Sequence, residues 1–362
     1  MVRYISRSSS TGSQTEVKAF QFVDWQRPGE LREVPVPDPG PGEVLIKVGG
    51  AGACHSDLHL LEAPAGSQSF TLPFTLGHEN AGWVHKLGSG AMGFAPGDPV
   101  IVYGPWGCGL CVNCRRGMEN YCEKPGKPSP GGLGGTDGGM AEYLLVPSTR
   151  FLIPLGNLDP RDAAPLTDAG LTSYHAVKRS VHLLGPGSTA VVVGAGGLGQ
   201  MAIQMLKAIS SATTVVAVDT SEGKLQIATT LGADATFVSG ERAVASIKDM
   251  TRGQGAEVVL DFVGINPTLT MAAQVARVLG HLTIVGLGDA ALPVSFHSPP
   301  QECSVAAPFW GSIPELIEVI TLAQAGKITM LVEHFPLEHA AEAYHLLHEG
   351  KIHGRAVITP ND

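Results

Sequence analysis

Charge is scarce in this sequence. Asp, Glu, Lys and Arg make up only 16% of the residues, and the acidic groups outnumber the basic ones by 33 to 24, for a net charge of −9. A chain without a broad basic stripe is poorly suited to nucleic acid or to an anionic membrane surface as its main partner. No apolar run approaches the length of a membrane span. The first sixteen residues, MVRYISRSSSTGSQTE, lack the apolar stretch of a secretory signal. Residues 1–17 therefore read as a disordered extension, with a transit peptide as the alternative, and the protein is expected in the cytoplasm unless that extension directs it to an organelle. Cysteine is sparse as well. Six in 362 residues, with no secretory signal, do not make the disulfide framework of a small secreted domain.

What is present points to an ordinary globular chain. Hydrophobic residues make up 44% of it, enough for a sizeable core, and the 46 glycines sit at turns and not in a low-complexity tract. The length suits two domains. No internal repeat is apparent.

Four of the six cysteines fall within GPWGCGLCVNCRRGMENYC, residues 104–122. Cys108, Cys111, Cys114 and Cys122 have the spacing C-x2-C-x2-C-x7-C. Cysteines three residues apart pair awkwardly, because a disulfide demands a particular Cα separation and direction. Four thiolates on a tight loop suit tetrahedral zinc instead, and a site filled by sulfur is structural, with no position left for substrate. A second group of metal-type side chains lies in GACHSDLH, residues 52–59, and LGHEN, residues 76–80. Cys54 and His78 are its natural pair. Taken singly, each has a bland reading, as a small buried thiol and as a surface or satisfied core imidazole. A catalytic zinc keeps three protein ligands and one open place. With no second cysteine to spare in the N-terminal half, a carboxylate has to complete the set.

The run STAVVVGAGGLGQMAIQMLKAI, residues 188–209, joins a β-branched apolar strand to an apolar helical pattern through Gly194-x-Gly196-x-x-Gly199. The next strand, TTVVAVD, ends at Asp219, twenty residues beyond Gly199. This is the dinucleotide-binding arrangement, in which the pyrophosphate lies at the helix N-terminus and the acidic residue accepts bonds from the adenosine ribose. The charge of Asp219 favours NAD over NADP. Further buried strands at residues 256–264 and 281–288 alternate with helical patterns at 222–231, 243–250 and 267–279, as in a parallel sheet covered on both faces. The N-terminal part shows short β-runs between Gly/Pro turns. The tail shows helical segments near 314–325 and 337–348, then a strand at RAVIT.

These features, in this order, resemble the zinc-dependent medium-chain alcohol dehydrogenases, and most of all the bacterial NAD-dependent secondary alcohol dehydrogenases, which share YGPWGCG and PLTDAGLT. The resemblance covers nearly everything from about Lys18 to Ile358. It implies an α/β protein in which a GroES-like β-rich catalytic domain (18–167 and 300–362) joins a doubly wound Rossmann domain (168–299), and a homodimer or homotetramer. It implies two zinc ions and NAD, acting on a small alcohol, ketone or aldehyde. In PLTDAGLT it places Asp168 as third ligand of the catalytic zinc; Glu79, beside His78, is the rival ligand, and a helix cap is the bland alternative for Asp168. By the same resemblance Glu79 lies behind the zinc, Asp57 orients His78, and Ser56 and His59 relay a proton. Thr172 lies near the nicotinamide, while His55 and Arg355 lie near the pyrophosphate. The cofactor set is completed by Gly197, Leu198, Lys224 and Gly264. Phe70, Phe309 and Trp310 line an apolar pocket suited to a hydrophobic secondary alcohol. A protein that merely holds zinc and NAD for structure or sensing is the alternative.

Overall fold

The structure, a computed structural model, describes residues 15–68, 70–124 and 130–362. The expected extension lies outside the described residues as far as residue 14; Glu16 already pairs with Pro35 in the first strand. Strands β1 (Glu16–Phe22), β2 (Glu30–Pro35), β3 (Val44–Gly52), β4 (Phe74–Thr75), β5 (Glu79–Leu87), β6 (Pro99–Val102), β7 (Tyr143–Val146) and β8 (Leu152–Pro154) build the N-terminal part. Strands β1, β2 and β4 make a three-stranded sheet. The others enter a larger sheet in which β3 pairs antiparallel with both β5 and β7. The β-branched, glycine-punctuated runs of the sequence become these strands, and nearly all of β3 is buried.

The second unit is a parallel sheet of β9 (Thr189–Val193), β10 (Thr214–Asp219), β11 (Ala235–Val238), β12 (Ala256–Asp261), β13 (Ala276–Ile284) and β14 (Ser304–Ala306), in the order β11-β10-β9-β12-β13-β14. Its near-continuous apolar strands serve both faces. Val191, Val193, Val216 and Val218 enter one core cluster, while Ala190, Val192, Val215 and Ala217 enter the other. Two side-chain sets alternating along one strand are what a sheet with helices on both sides requires.

Two sequence boundaries shift. The helical pattern at 267–279 ends at Val275, and Ala276–Ile284 is strand β13. Val278 and Leu279, which prolonged the apolar period, are exposed beside a register shift in the β12–β13 pairing. The parallel sheet also continues past residue 299. Strand β14 pairs with β13 at Ser304–Ala306, a segment too short to stand out as an apolar run. Strands β15 (Val332–Pro336) and β16 (Arg355–Thr359) then return to the first unit, where β16 pairs with β3. Arg355 is thereby carried to the site described next.

Candidate active site

Cys54 closes the turn after β3 and is the N-cap of the helix His55–Glu62. His78 immediately precedes β5, and Asp168 immediately precedes the helix Ala169–Ser180. Three distant segments thus bring one donor atom each to a single spot, all within 4.8 Å of one another. Cys54 Sγ is 3.8 Å and His78 Nε2 is 3.6 Å from Asp168 Oδ2. A tetrahedral zinc with bonds of about 2.0–2.3 Å sets its ligands about 3.3–3.8 Å apart, so the donor types and their separations fit that ion. Asp57 Oδ1 lies 3.0 Å from His78 Nδ1, which leaves Nε2 to face the cluster. The other Asp57 oxygen accepts from the Cys54 N–H and from the Tyr344 hydroxyl, each at 2.9 Å. One buried carboxylate therefore aims two of the donors, the outer-shell arrangement that metal-bound histidines favour.

The electrostatics favour a cation at this spot. Burial alone would lower the His78 pKa, but Asp57 and Asp168 raise it well above the usual histidine value. Burial would raise Asp168, yet His78 and Arg355 hold it well below the usual carboxylate range. Asp168 occupies the helix N-cap position without a side-chain capping bond; its Oδ1 accepts instead from the Thr172 hydroxyl at 2.8 Å. Glu79 is turned away from the donors. Both its oxygens are held by Arg355, Nε at 2.9 Å and Nη2 closer still, and one also accepts from Ala169 N–H at 3.2 Å. Burial raises Glu79 to about 7 even against that guanidinium.

The cluster lies in a cleft of about 1000 Å³ whose walls come from both units. Ser56 lies beside it, Oγ 3.5 Å from Cys54 Sγ, and His55 and His59 line the same wall. Desolvation and the Arg355 charge push His55 down to about 4, so its imidazole is neutral. The opposite wall is the turn from β9 into the helix Gly197–Ile209. Gly194 has φ 90°, and a Cβ on Gly199 would fall 1.8 Å from Gly194 O, so the helix meets its strand only with glycine there. Around Gly196 the space is open within 4 Å, and the Gly196–Leu198 face lines the cleft. Asp219 at the end of β10 accepts from the N–H groups of Ala195 and Ser221, at 2.7 and 2.9 Å, and Lys224 lines the cleft with it. An open glycine cradle at a helix N-terminus with a fixed acidic group beside it fits a dinucleotide.

The other expected positions are more mixed. Thr172, Phe70, Phe309 and Trp310 line the cleft, and Trp310 stands edge-on to His78 with ring centroids 5.5 Å apart. Gly264 lies behind the wall, where a Cβ would meet Gly286 O at 2.1 Å. Arg355 faces the cleft next to Gly197, but its guanidinium is engaged by Glu79 and Asp168.

The four-cysteine lobe stands apart from this cleft. Its sulfurs also lie within 4.8 Å of one another, and all six cysteines are free thiols. Cys108 Sγ accepts from the N–H groups of Leu110 and Cys111, each at 3.4 Å, which lowers its pKa to about 6; burial pushes Cys114 up to about 12. Four converging thiols with N–H groups turned toward the sulfur fit a structural zinc. Among the described residues these are the two clusters able to hold a metal.

Sequence reasoning missed Tyr344, which reaches Asp57 from the C-terminal helix Ala340–His348, and Asn120 and Tyr121, whose contacts run to Phe309. No local motif marks them, because each partner lies at least 188 positions away in the chain.

Comparison with known proteins agrees with this geometry. Residues 40–157 match the alcohol dehydrogenase GroES-like domain, and residues 197–325 match the zinc-binding dehydrogenase family. An NAD-dependent alcohol dehydrogenase of Sulfurisphaera tokodaii is 38% identical over 358 residues, 95% of this chain and 100% of the relative. A D-arabinose 1-dehydrogenase (NADP(+)) of Saccharolobus solfataricus is 35% identical over 95% of this chain and 97% of its own. The crystal structure of the alcohol dehydrogenase of Aeropyrum pernix superposes with a TM-score of 0.88 at 36% identity, covering 95% of this chain and 100% of that one. The chain belongs to the zinc-binding medium-chain alcohol dehydrogenase family.

Proposed function

We propose that the protein transfers hydride reversibly between a hydrophobic secondary alcohol and NAD, with Cys54, His78 and Asp168 holding a catalytic zinc and Cys108, Cys111, Cys114 and Cys122 a structural one. The observation that carries this reading is the meeting of the Cys54–His78–Asp168 cluster and the glycine cradle in one cleft. When bound, zinc supplies the Lewis acidity that acidifies an alcohol hydroxyl, and NAD supplies the hydride acceptor. The chain's own groups do the rest. Asp57 fixes the His78 tautomer. Thr172 steadies Asp168. Ser56, beside Cys54, takes the hydroxyl proton, and His59, one turn further along the same helix, passes it toward solvent. Asp219 accepts from the ribose hydroxyls, and Phe70, Phe309 and Trp310 exclude water around the carbinol carbon. Arg355 neutralises Glu79 and leans on Asp168, so a buried carboxylate behind the cluster does not compete for its place.

A protein that only stores zinc and NAD has no use for Ser56 and His59 on the cleft wall, and the relatives named above are enzymes. We place the protein in the cytoplasm as a homodimer or homotetramer, which light scattering resolves; among the described residues no helix is long and apolar enough to cross a membrane. The test of function is direct. The protein, NAD and 2-propanol or 1-phenylethanol are mixed and NADH absorbance is followed, with zinc measured in parallel. Silence across a broad alcohol panel with two zinc ions bound refutes the reading.

A further inference from the structure

The apolar wall formed by Phe309 and Trp310 lies on an irregular segment between β14 and the helix Ile313–Gln324. Trp310 has φ 55°. For a bulky residue that conformation costs about 1–2 kcal/mol, so the surroundings must impose it. The bonds that do so come largely from one direction. Asn120 Nδ2 donates to Phe309 O at 2.8 Å, and Phe309 N–H donates to the Tyr121 hydroxyl at 3.3 Å. Ile313 N–H donates to Gly117 O at 2.9 Å, and the Tyr103 hydroxyl donates to Gly311 O at 2.6 Å. The indole bond, from Trp310 Nε1 to Thr167 O at 2.7 Å, reaches elsewhere, and the Ser312 N–H turns to Glu315 of the following helix at 2.8 Å. Asn120 and Tyr121 close the short 3₁₀ turn Glu119–Tyr121 and lead directly into Cys122. Arg150 holds Glu119 at the other end of that turn.

We infer that the four-cysteine lobe, acting through Asn120 and Tyr121, positions the Phe309–Trp310 wall and so sets which alcohols the cleft accepts. This inference rests on the reading of that cleft as the alcohol site. Asn120 and Tyr121 are positioning residues; neither touches the Cys54–His78–Asp168 cluster. A small alcohol seated at that cluster has no large substituent to pack on the wall and depends on its placement less. A bulky aryl substituent has to pack on it, and a wall released from its two bonds offers a poorer surface.

The test uses the full chain and two variants, Asn120→Ala and Tyr121→Phe, with zinc content measured for each. kcat and KM are determined for 2-propanol and for 1-phenylethanol. The expected result in each variant is a fall in kcat/KM for 1-phenylethanol relative to 2-propanol by about three- to tenfold, the worth of one neutral hydrogen bond. The fall should appear in KM, with both zinc ions retained. An unchanged ratio in both variants overturns the inference, and so does an equal loss of kcat for both alcohols. Loss of zinc from either variant also overturns it, because the residue would then serve the lobe and not the wall. A wild-type protein inactive with both alcohols removes the alcohol reading itself, a result distinct from the others.

Discussion

Asp168→Asn separates the roles open to Asp168. The substitution keeps the shape of the side chain, and an amide oxygen can still accept from Thr172, whose hydroxyl lies 2.8 Å from Oδ1. What it removes is the anionic oxygen at 3.6 Å from His78 Nε2 and 3.8 Å from Cys54 Sγ. A helix cap would hardly notice, since no backbone N–H is bonded to this side chain. A zinc ligand would. Losing an outer-shell partner typically weakens metal binding about 10- to 100-fold, and losing a direct anionic ligand should exceed the upper end of that range. Zinc titration against a chelator should show the catalytic ion leaving while the four-cysteine ion stays, with turnover falling in step. Asp168→Cys should restore the metal, because thiolate is a natural zinc ligand. Two tightly held zinc ions and normal turnover in Asp168→Asn would refute the reasoning. If Glu79→Gln instead lost the catalytic ion, Glu79 would be the ligand, and the Arg355 pair seen here would have to open.

Three further outcomes are expected. Asp219→Ala should weaken NAD binding about tenfold or more and narrow the gap to NADP, since a charge-assisted bond and a repulsive charge vanish together; a wild type that already uses both cofactors equally sinks this view of Asp219. Cys111→Ser should cost stability and the lobe zinc while leaving kcat for 2-propanol within a few-fold, and undiminished zinc in the folded variant would remove Cys111 from the ligand set. The acid limb of stability should depend on Glu315. Burial would raise its pKa, but His175 and the Ser312 N–H and hydroxyl lower it to about 2. A depressed carboxylate stabilises above its unfolded pKa near 4.5, and that contribution is lost as pH falls toward 2. Discounted for partial exposure it is worth about 2 kcal/mol. Urea unfolding between pH 6 and pH 2.5 should therefore show a steeper acid loss in wild type than in Glu315→Gln, and parallel curves would dismiss the effect.

How much of this was legible in the sequence depends on how local each signal was. The cysteine spacing and the Gly194–Gly199 fingerprint each lie within one short run, and the structure folds each run on itself. Strands β9, β10 and β12 and the end of β13 were legible because burial on both faces leaves a continuous apolar run; the half-buried edge strand β11 was not. β14 was not either, being three residues long, and the end of the helix after Val275 was not, because Val278 and Leu279 carry the apolar period onto the exposed start of β13. Periodicity records hydrophobicity and not burial. The exposed pair misled for that reason.

The active site was legible only in part, and its geometry shows why. Cys54, His78 and Asp168 come from three segments, and residue type alone cannot say which carboxylate joins the first two. The choice between Glu79 and Asp168 turns on Arg355, 187 positions beyond Asp168. Strand β16 pairs with β3 and brings that guanidinium against Glu79. A buried Glu79 without it would be free to turn toward the metal donors; with it, Glu79 is neutralised and Asp168 is left facing Cys54 and His78. Tyr344 acts in the same sense from the neighbouring helix, because its hydroxyl occupies the Asp57 oxygen that does not face His78. The C-terminal segment thus orients the Cys54–His78–Asp168 cluster from behind, through residues that contribute no donor atom to it. A motif search that reads ligands along the chain has no access to that arrangement, since it arises from the pairing of the last strand with the third.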